Sequence, residues 1–171
     1  VNLYPFEKTV AQPDVTLKHA LEHIDIGGPC MIRAAAKNYG GVTVVTHPDQ
    51  YDKVLQELVQ HQGCTTLATR AWLARQAFSR TCEYDAAISR WLYQQAEPES
   101  RFPDRFPFVL HKSQDLRYGE NPHQQAAFYQ DDSGRAFGRQ LHGKELSFNN
   151  IMDVHSSVGL SLEFSEPCAV I

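Results

Sequence analysis

Two groups of residues carry side chains suited to chemistry. The first gathers Tyr4, Asp25, Gly27-Gly28-Pro29 and Lys37. Asp25 stands just before a Gly-Gly-Pro turn that opens a helix. Free N–H groups at a helix start can hold an anion, and glycines let a ligand approach the backbone. Lys37 lies eight residues beyond Pro29, which at ~1.5 Å per residue is about 12 Å along the axis. It therefore shares a small site with Asp25 only if its stem reaches back or another element folds over. Spacing alone reads as a capped helix with an exposed lysine. The second group is Leu116-Arg117-Tyr118-Gly119-Glu120-Asn121-Pro122-His123-Gln124, followed downstream by Lys144–Asn150. By composition it is a loop, because Gly119 and Asn121-Pro122 favour turns.

Other chemistries find little support. His19 and His23 are four apart on an expected helix, but the zinc pattern H-E-x-x-H needs Glu at position 20, where Ala stands. No third ligand is evident, so a solvated helix face is expected and no metal. Cys30, Cys64, Cys82 and Cys168 form no C-x-x-C pair and are expected as reduced thiols, without a disulfide framework. Cys30, directly after Pro29, reads as packing and not as a nucleophile. The net charge of −4 argues against a general nucleic-acid binder. No apolar run approaches the ~18 residues of a membrane helix, and the first residues lack a charged n-region and cleavage site. A cytosolic protein with no membrane partner is expected.

The elements that must position these groups follow from periodicity. With 42% hydrophobic residues a core is affordable. Val1–Phe6 reads as a strand end running into a loop at Pro5, and Val15–His23 as a short helix on Leu17, Ala20 and Leu21. Pro29 suits a helix start, Met31–Asn38 continues that helix, and Gly40-Gly41 can cap it. Val42–Thr46 is a β-branched run expected as a buried strand. Pro48–Gln62 is amphipathic, with Tyr51, Val54, Leu55, Leu58 and Val59 on one face, and Gly63 ends it. Thr65–Gln95 is a long helical stretch whose apolar stripe runs through Leu67, Ala71, Ala74, Phe78, Tyr84, Ala87, Ile88, Trp91 and Leu92. Its aromatics, with Trp72, are expected in a core or a dimer contact.

Composition then changes. Residues 96–108 carry Pro98, Pro103 and Pro107 among charges, which marks a solvated linker. Phe108–His111 and Ala126–Tyr129 are strand candidates, Asp131–Gly134 a turn, Ile151–Phe164 a helix and Pro167–Ile171 a further strand. Alternating helices and short strands imply α/β architecture on both sides of the linker. The chain starts at Val1 without Met and stops on the apolar Ala169-Val170-Ile171, so a piece of a longer polypeptide is expected.

A resemblance sharpens this reading. Asn2-Leu3-Tyr4-Pro5-Phe6, Ile24-Asp25-Ile26-Gly27-Gly28 and Arg33-Ala34-Ala35-Ala36-Lys37-Asn38 closely resemble the cyclohydrolase domain of the bifunctional purine-biosynthesis family. That family combines aminoimidazole carboxamide ribonucleotide (AICAR) transformylase with inosine monophosphate (IMP) cyclohydrolase. Leu116–Gln124 and Lys144-Glu145-Leu146-Ser147-Phe148-Asn149-Asn150 resemble the opening of its transformylase domain. The matches stand in the right order, and in effect all 171 residues align.

The resemblance implies part of a methylglyoxal-synthase-like α/β domain over 1–95, a linker over 96–108, and the start of a cytidine-deaminase-like α/β transformylase domain over 109–171. It implies that Lys37 is the proton donor or acceptor of ring closure, with Tyr4 and Asp25 nearby, and that Val1, Asn2, Asp25, Ile26 and Gly27 contact formyl-AICAR or IMP. It assigns AICAR binding to Arg117, Tyr118 and Asn150, with His123 as an additional contact. The residue types fit: arginine offers a planar fork for phosphate, tyrosine a face for the imidazole, asparagine a donor and an acceptor for a carboxamide. The implied cosubstrate is 10-formyltetrahydrofolate, with no bound cofactor, and the implied assembly is a homodimer. The family's catalytic Lys-His pair and folate site fall outside this chain, so it carries part of the nucleotide site and none of the transfer machinery. The rival from another class is a non-catalytic nucleotide-binding or dimerising module of the same fold. A third reading, a methylglyoxal-synthase-like enzyme, leaves Arg117–Gln124 without a place. Low stability is expected for the isolated piece.

Overall fold

The computed structural model describes residues 1–99, 102–131 and 140–171. The chain divides into two compact units, Val1–Phe108 and Val109–Ile171. Together they form a mixed α/β structure with one two-stranded sheet.

The first unit holds α1 (Phe6–Val10), α2 (Leu17–Glu22), α3 (Gly27–Lys37), a 3-10 turn (Pro48–Gln50), α4 (Tyr51–Gln60) and α5 (Leu67–Ala96). α5 is its spine, and both α1 and α3 pack on it. Two clusters form the core. Ile32, Ala36 and Val44 meet Ala74 and Ala77 along the α3–α5 seam. Phe6, Ala20, Tyr84 and Trp91 form the other, and Phe6 meets the Tyr84 and Trp91 rings edge-on at 6.2 and 5.9 Å. Small residues along the seam let the helix backbones approach closely, and the aromatic cluster joins α1 and α2 to α5.

Several expectations shift. Val42–Thr46 is not a strand. Val44 and Thr46 are buried, as in a strand, but no second strand lies beside them among the described residues of this unit. The segment's hydrogen bonds include Thr46 N to Gln50 Oε1 at 2.9 Å, Val42 N to Asn38 O at 3.0 Å, and a 2.7 Å contact between the Thr43 and Thr65 hydroxyls. The stripe of α5 is as expected at Ala74, Tyr84, Ala87, Ile88 and Trp91 and differs elsewhere. Leu73, Ala77 and Thr81 are buried, while Leu67 and Phe78 are exposed. α3 begins at Gly27, so Pro29 is its third residue and not its first. Gly40 and Gly41 make no left-handed cap; Arg70 holds the turn by donating to Tyr39 O at 2.9 Å and Gly40 O at 3.2 Å. Gly63 does end α4, at φ +88°. No residue of α4 is buried, and Tyr51, Leu55 and Val59 are exposed. Cys30 is exposed and not packed, and Cys64, Cys82 and Cys168 are exposed free thiols.

The second unit pairs β1 (His111–Leu116) antiparallel with β2 (Ala126–Gln130), irregular between Lys112 and Gln114. α6 (Phe148–Ser161) follows. It starts three residues before the expected Ile151 because Ser147 and Asn150 form a capping box. β1 begins at His111, and residues 167–171 are not a strand. Of the expected turn at 131–134, all but Asp131 lies outside the described residues, as does Arg101 of the linker. No helix among the described residues is long and apolar enough to cross a membrane.

Candidate functional site

Three of the four AICAR-assigned residues come together in the second unit. The loop after β1 is laced to the start of α6 by its backbone: Arg117 N donates to Leu146 O at 3.1 Å, and Phe148 N to Tyr118 O at 3.2 Å. Asn149 Nδ2 adds a bond to Glu120 O at 3.3 Å. These bonds bring the Arg117 side chain to Asn150, whose Oδ1 accepts from Arg117 Nη2 at 3.2 Å. The same Oδ1 accepts from Ser147 N at 3.1 Å and lies 3.1 Å from Ser147 Oγ. The Asn150 amide NH2 has no partner among the described residues and is free to donate. The Arg117 guanidinium lies 5.3 Å from the Tyr118 ring centroid, a cation–π distance. The cluster thus offers a partly free guanidinium fork, an aromatic ring and an amide donor, which suits a flat heterocycle bearing a phosphate.

The loop itself is cinched. Gly119 N donates to Gln124 O at 2.9 Å, Gln124 N to Asn121 O at 3.0 Å, and Asn121 N to Gln124 Oε1 at 2.8 Å. A Cβ on Gly119 would stand 2.9 Å from Gln124 Cβ. His123 is exposed on this turn and makes no bond to the Arg117–Asn150 cluster.

In the first unit Asp25 and Gly28 form the second centre. Asp25 Oδ1 accepts from Gly28 N at 2.7 Å, so the protein's own carboxylate already occupies the start of α3. The chain before it is pinned by Tyr84 of α5. Asp25 N donates to Tyr84 Oη at 2.8 Å, and that hydroxyl donates to His23 O at 3.1 Å. The Tyr84 side chain is fully buried. Burial, more than the nearby Asp25 and Glu7 charges, raises its pKa above the ordinary 10.0. Val1, Asn2, Tyr4, Ile26 and Gly27 are exposed.

Lys37 is not brought to Asp25. It ends α3 ten residues after Gly27, about 15 Å along the axis. It lines instead a pocket of about 570 Å³ with Arg33, Arg75 and Phe78, floored by Ala71 and Ala74. The His19 and His23 rings lie 4.4 Å apart, tilted by 51°, and His23 Nδ1 contacts His19 O at 2.8 Å. No group of three or more metal-ligating side chains exists among the described residues.

Comparison with known proteins decides the family. Residues 35–171 match the family model described as AICARFT/IMPCHase bienzyme. The chain belongs to this family. It is 52% identical, over its whole length, to the bifunctional purine biosynthesis protein PurH of Acidithiobacillus ferrooxidans, and covers 34% of that protein. It is 51% identical to PurH of a Thermoanaerobacter species and 49% identical to PurH of Listeria monocytogenes, in each case over 99% of this chain and 34% of the relative. The chain thus spans about a third of the length of the curated bienzymes it matches.

Within the bienzyme frame, the residues that sequence reasoning missed are those that hold others. Ser147 was legible as the cap of an S-x-x-N start. Tyr84 was placed only as a core aromatic, and its hydroxyl's role depends on a contact 59 residues away in sequence. Arg33 stood in the Arg33–Asn38 match without a role of its own, and Arg75 carried no motif.

Proposed function

We propose that the protein to which this chain belongs carries out the last two steps to IMP. In the first, the 5-amine of AICAR takes a formyl group from 10-formyltetrahydrofolate. In the second, the carboxamide nitrogen of formyl-AICAR attacks its own formyl carbon and water leaves. Family membership supports this reading. Within the chain it rests on one observation: Arg117, Tyr118 and Asn150, the residues assigned to AICAR, share one hydrogen-bonded cluster. In this reading 1–95 is part of a methylglyoxal-synthase-like cyclohydrolase domain, 96–108 a linker, and 109–171 the start of a cytidine-deaminase-like transformylase domain. The full protein acts in the cytosol as a homodimer.

The assigned residues have distinct tasks. Arg117 holds the phosphate with the guanidinium edge that Asn150 leaves free, Tyr118 faces the imidazole, and the Asn150 NH2 donates to the carboxamide. His123, exposed on the cinched turn, serves as an outer contact. For ring closure an amide nitrogen is a poor nucleophile and the formyl oxygen gains charge, so a positioned acid or base contributes about 10²–10⁴ in rate. An intramolecular attack needs little beyond alignment, so no metal or bound cofactor is required. Lys37 takes the proton-transfer role, and Tyr4 and Asp25, with Val1, Asn2, Ile26 and Gly27, belong to the nucleotide end. Because the two ends of α3 lie about 15 Å apart, a further chain segment or a second copy must bring Lys37 to the nucleotide that Asp25 holds.

The test is calorimetric titration of AICAR into this chain and into Arg117→Gln. The expected result is an affinity at least about tenfold lower for the variant, since a charge-assisted bond is lost, with the phosphate-free riboside bound equally by both. Equal losses for nucleotide and riboside would remove Arg117 from the phosphate. Ring closure is followed by absorbance as formyl-AICAR converts to IMP. Turnover by the chain that disappears in folded Lys37→Ala would support the lysine's role, and turnover retained in that variant would sink it.

A further inference from the structure

One side chain of α5 touches both segments that carry Tyr4 and Asp25. The Tyr84 hydroxyl accepts from Asp25 N at 2.8 Å and donates to His23 O at 3.1 Å. Its ring meets the Phe6 ring edge-on at 6.2 Å, and Phe6 N donates to Tyr4 O at 2.8 Å. Leu3 from one segment and Ile24 from the other pack against the same buried cluster. A Cβ on Gly28 would stand 2.8 Å from Leu3 Cδ2, so the two segments meet without slack.

The Tyr84 side chain is fully buried, so it does not touch a ligand itself. One N–H comes in and one O–H goes out, which uses the donor and an acceptor site of a neutral phenol. The turn over 23–28 makes its other hydrogen bonds to α2 behind it, or within itself and α3. Among the described residues, Tyr84 thus supplies the hydrogen bonds that tie this turn to α5. The Asp25 carboxylate is held in turn by Gly28 N at 2.7 Å. Without the hydroxyl, the Asp25 N–H and the His23 carbonyl lose their partner, and they regain one from water only if the turn moves outward.

We propose that Tyr84 is a positioning residue for ring closure: its hydroxyl holds the 23–27 backbone in the conformation that receives the nucleotide. The inference rests on the reading in which Asp25, Ile26 and Gly27 contact formyl-AICAR or IMP. Tyr84 acts on nucleotide binding and not on proton transfer, since Lys37 stands at the other end of α3. A turn that spends part of its time displaced lowers the apparent affinity by the fraction that remains competent. Once the nucleotide is bound, the same groups face it. Loss of the hydroxyl therefore acts on KM and spares kcat.

The test is ring-closure kinetics of the protein to which this chain belongs, wild type against Tyr84→Phe and Thr69→Val. Conversion of formyl-AICAR is followed by absorbance, IMP affinity by calorimetry and folding by thermal melts. Thr69 donates to Glu57 at the other end of α5, about 22 Å along the axis from Tyr84, so its variant loses a hydrogen bond far from the turn. The expected result for Tyr84→Phe is a KM and an IMP dissociation constant each about tenfold higher, with kcat within about twofold of wild type. Thr69→Val should melt at a lower temperature and keep the wild-type KM. In wild type, saturating IMP should slow amide exchange over 24–28, a readout that needs no variant to fold. An unchanged KM in Tyr84→Phe, a fall in kcat alone, an equal rise of KM in Thr69→Val, or unchanged exchange over 24–28 would each overturn the proposal and leave ring closure standing. Absence of both turnover and IMP binding in wild type would overturn the two together.

Discussion

At the scale of single residues, Gly28 and Tyr84 determine where Asp25 points. A Cβ on Gly28 would stand 2.8 Å from both Asp25 Cγ and Leu3 Cδ2, too close for either to remain in place. Gly28→Ala should therefore displace the carboxylate from the Gly28 N–H and cost about 1–3 kcal/mol, the range for overpacking. Gly27, with open space around its would-be Cβ, is the control: Gly27→Ala should be neutral or slightly stabilising. Urea melts of the two variants check this, and equal midpoints would mean that the turn can relax around the methyl. Tyr84→Phe keeps the ring but strands the Asp25 N–H and the His23 carbonyl, for about 1–3 kcal/mol. The raised Tyr84 pKa gives this a pH signature. The folded state keeps the phenol proton at a pH where the unfolded chain loses it, so stability falls as pH rises above the ordinary value of 10.0. In the pH series of melts, Tyr84→Phe should reduce that slope; an unchanged alkaline limb would mean that other groups carry it.

At the scale of elements, Glu57 links α4 to the start of α5. Its carboxylate accepts from Thr66 N at 2.8 Å, from Thr66 Oγ1 at 3.1 Å and from Thr69 Oγ1. The Thr69 bond first, then the Thr66 backbone bond, lowers its pKa below 4.5. The stabilising contribution is therefore present above 4.5 and is lost as pH falls through the lower folded value. Glu57→Gln should flatten the acid side of the stability–pH curve between those values, and a curve identical to wild type would show the junction to be held by other contacts. This junction illustrates what the sequence could and could not convey. Helix positions were legible, because periodicity, Pro and Gly mark them locally: α2, α3, α4 and α5 lie where the pattern put them, to within a few residues. The buried face of α5 was legible only in part: Ala74, Tyr84 and Trp91 are buried as expected, but Leu67 and Phe78 look as apolar as Leu73 and Ala77, and only the partners on α1 and α3 choose between them. Val42–Thr46 has a strand's composition, but pairing depends on a neighbouring strand that no local signal can supply. The Arg117–Tyr118–Asn150 grouping was legible through resemblance alone, since 33 residues separate Arg117 from Asn150. The separation of Lys37 from Asp25 followed directly from helix rise.

At the scale of the whole molecule, the two units differ in how much apolar surface they remove from water. In Val1–Phe108 the buried set includes Phe6, Ile32, Val44, Leu73, Tyr84 and Trp91, drawn from three helices and a loop. In Val109–Ile171 the one buried hydrophobic residue among those described is Ile151, while Met152, Leu160, Leu162 and Phe164 are exposed. A fully buried aliphatic or aromatic side chain contributes about 1.5–3 kcal/mol, against about 1–2 kcal/mol of backbone entropy for each ordered residue. The first unit therefore gains far more from burial, per residue ordered, than the second. The β1–β2 ladder and the capping box of α6 supply hydrogen bonds whose net worth is only about 1 kcal/mol each. Local opening should therefore be far easier in the second unit. Hydrogen exchange read by mass spectrometry should find the amides of α3 and α5 protected while those of α6 exchange close to the rate of an unstructured peptide. Saturating AICAR should then slow exchange at 146–150 selectively, because a ligand that binds the folded cluster stabilises it by mass action. Protection of α6 equal to that of α5 without ligand would contradict the burial argument. Slowing that spread evenly over both units would place the ligand elsewhere than on Arg117 and Asn150.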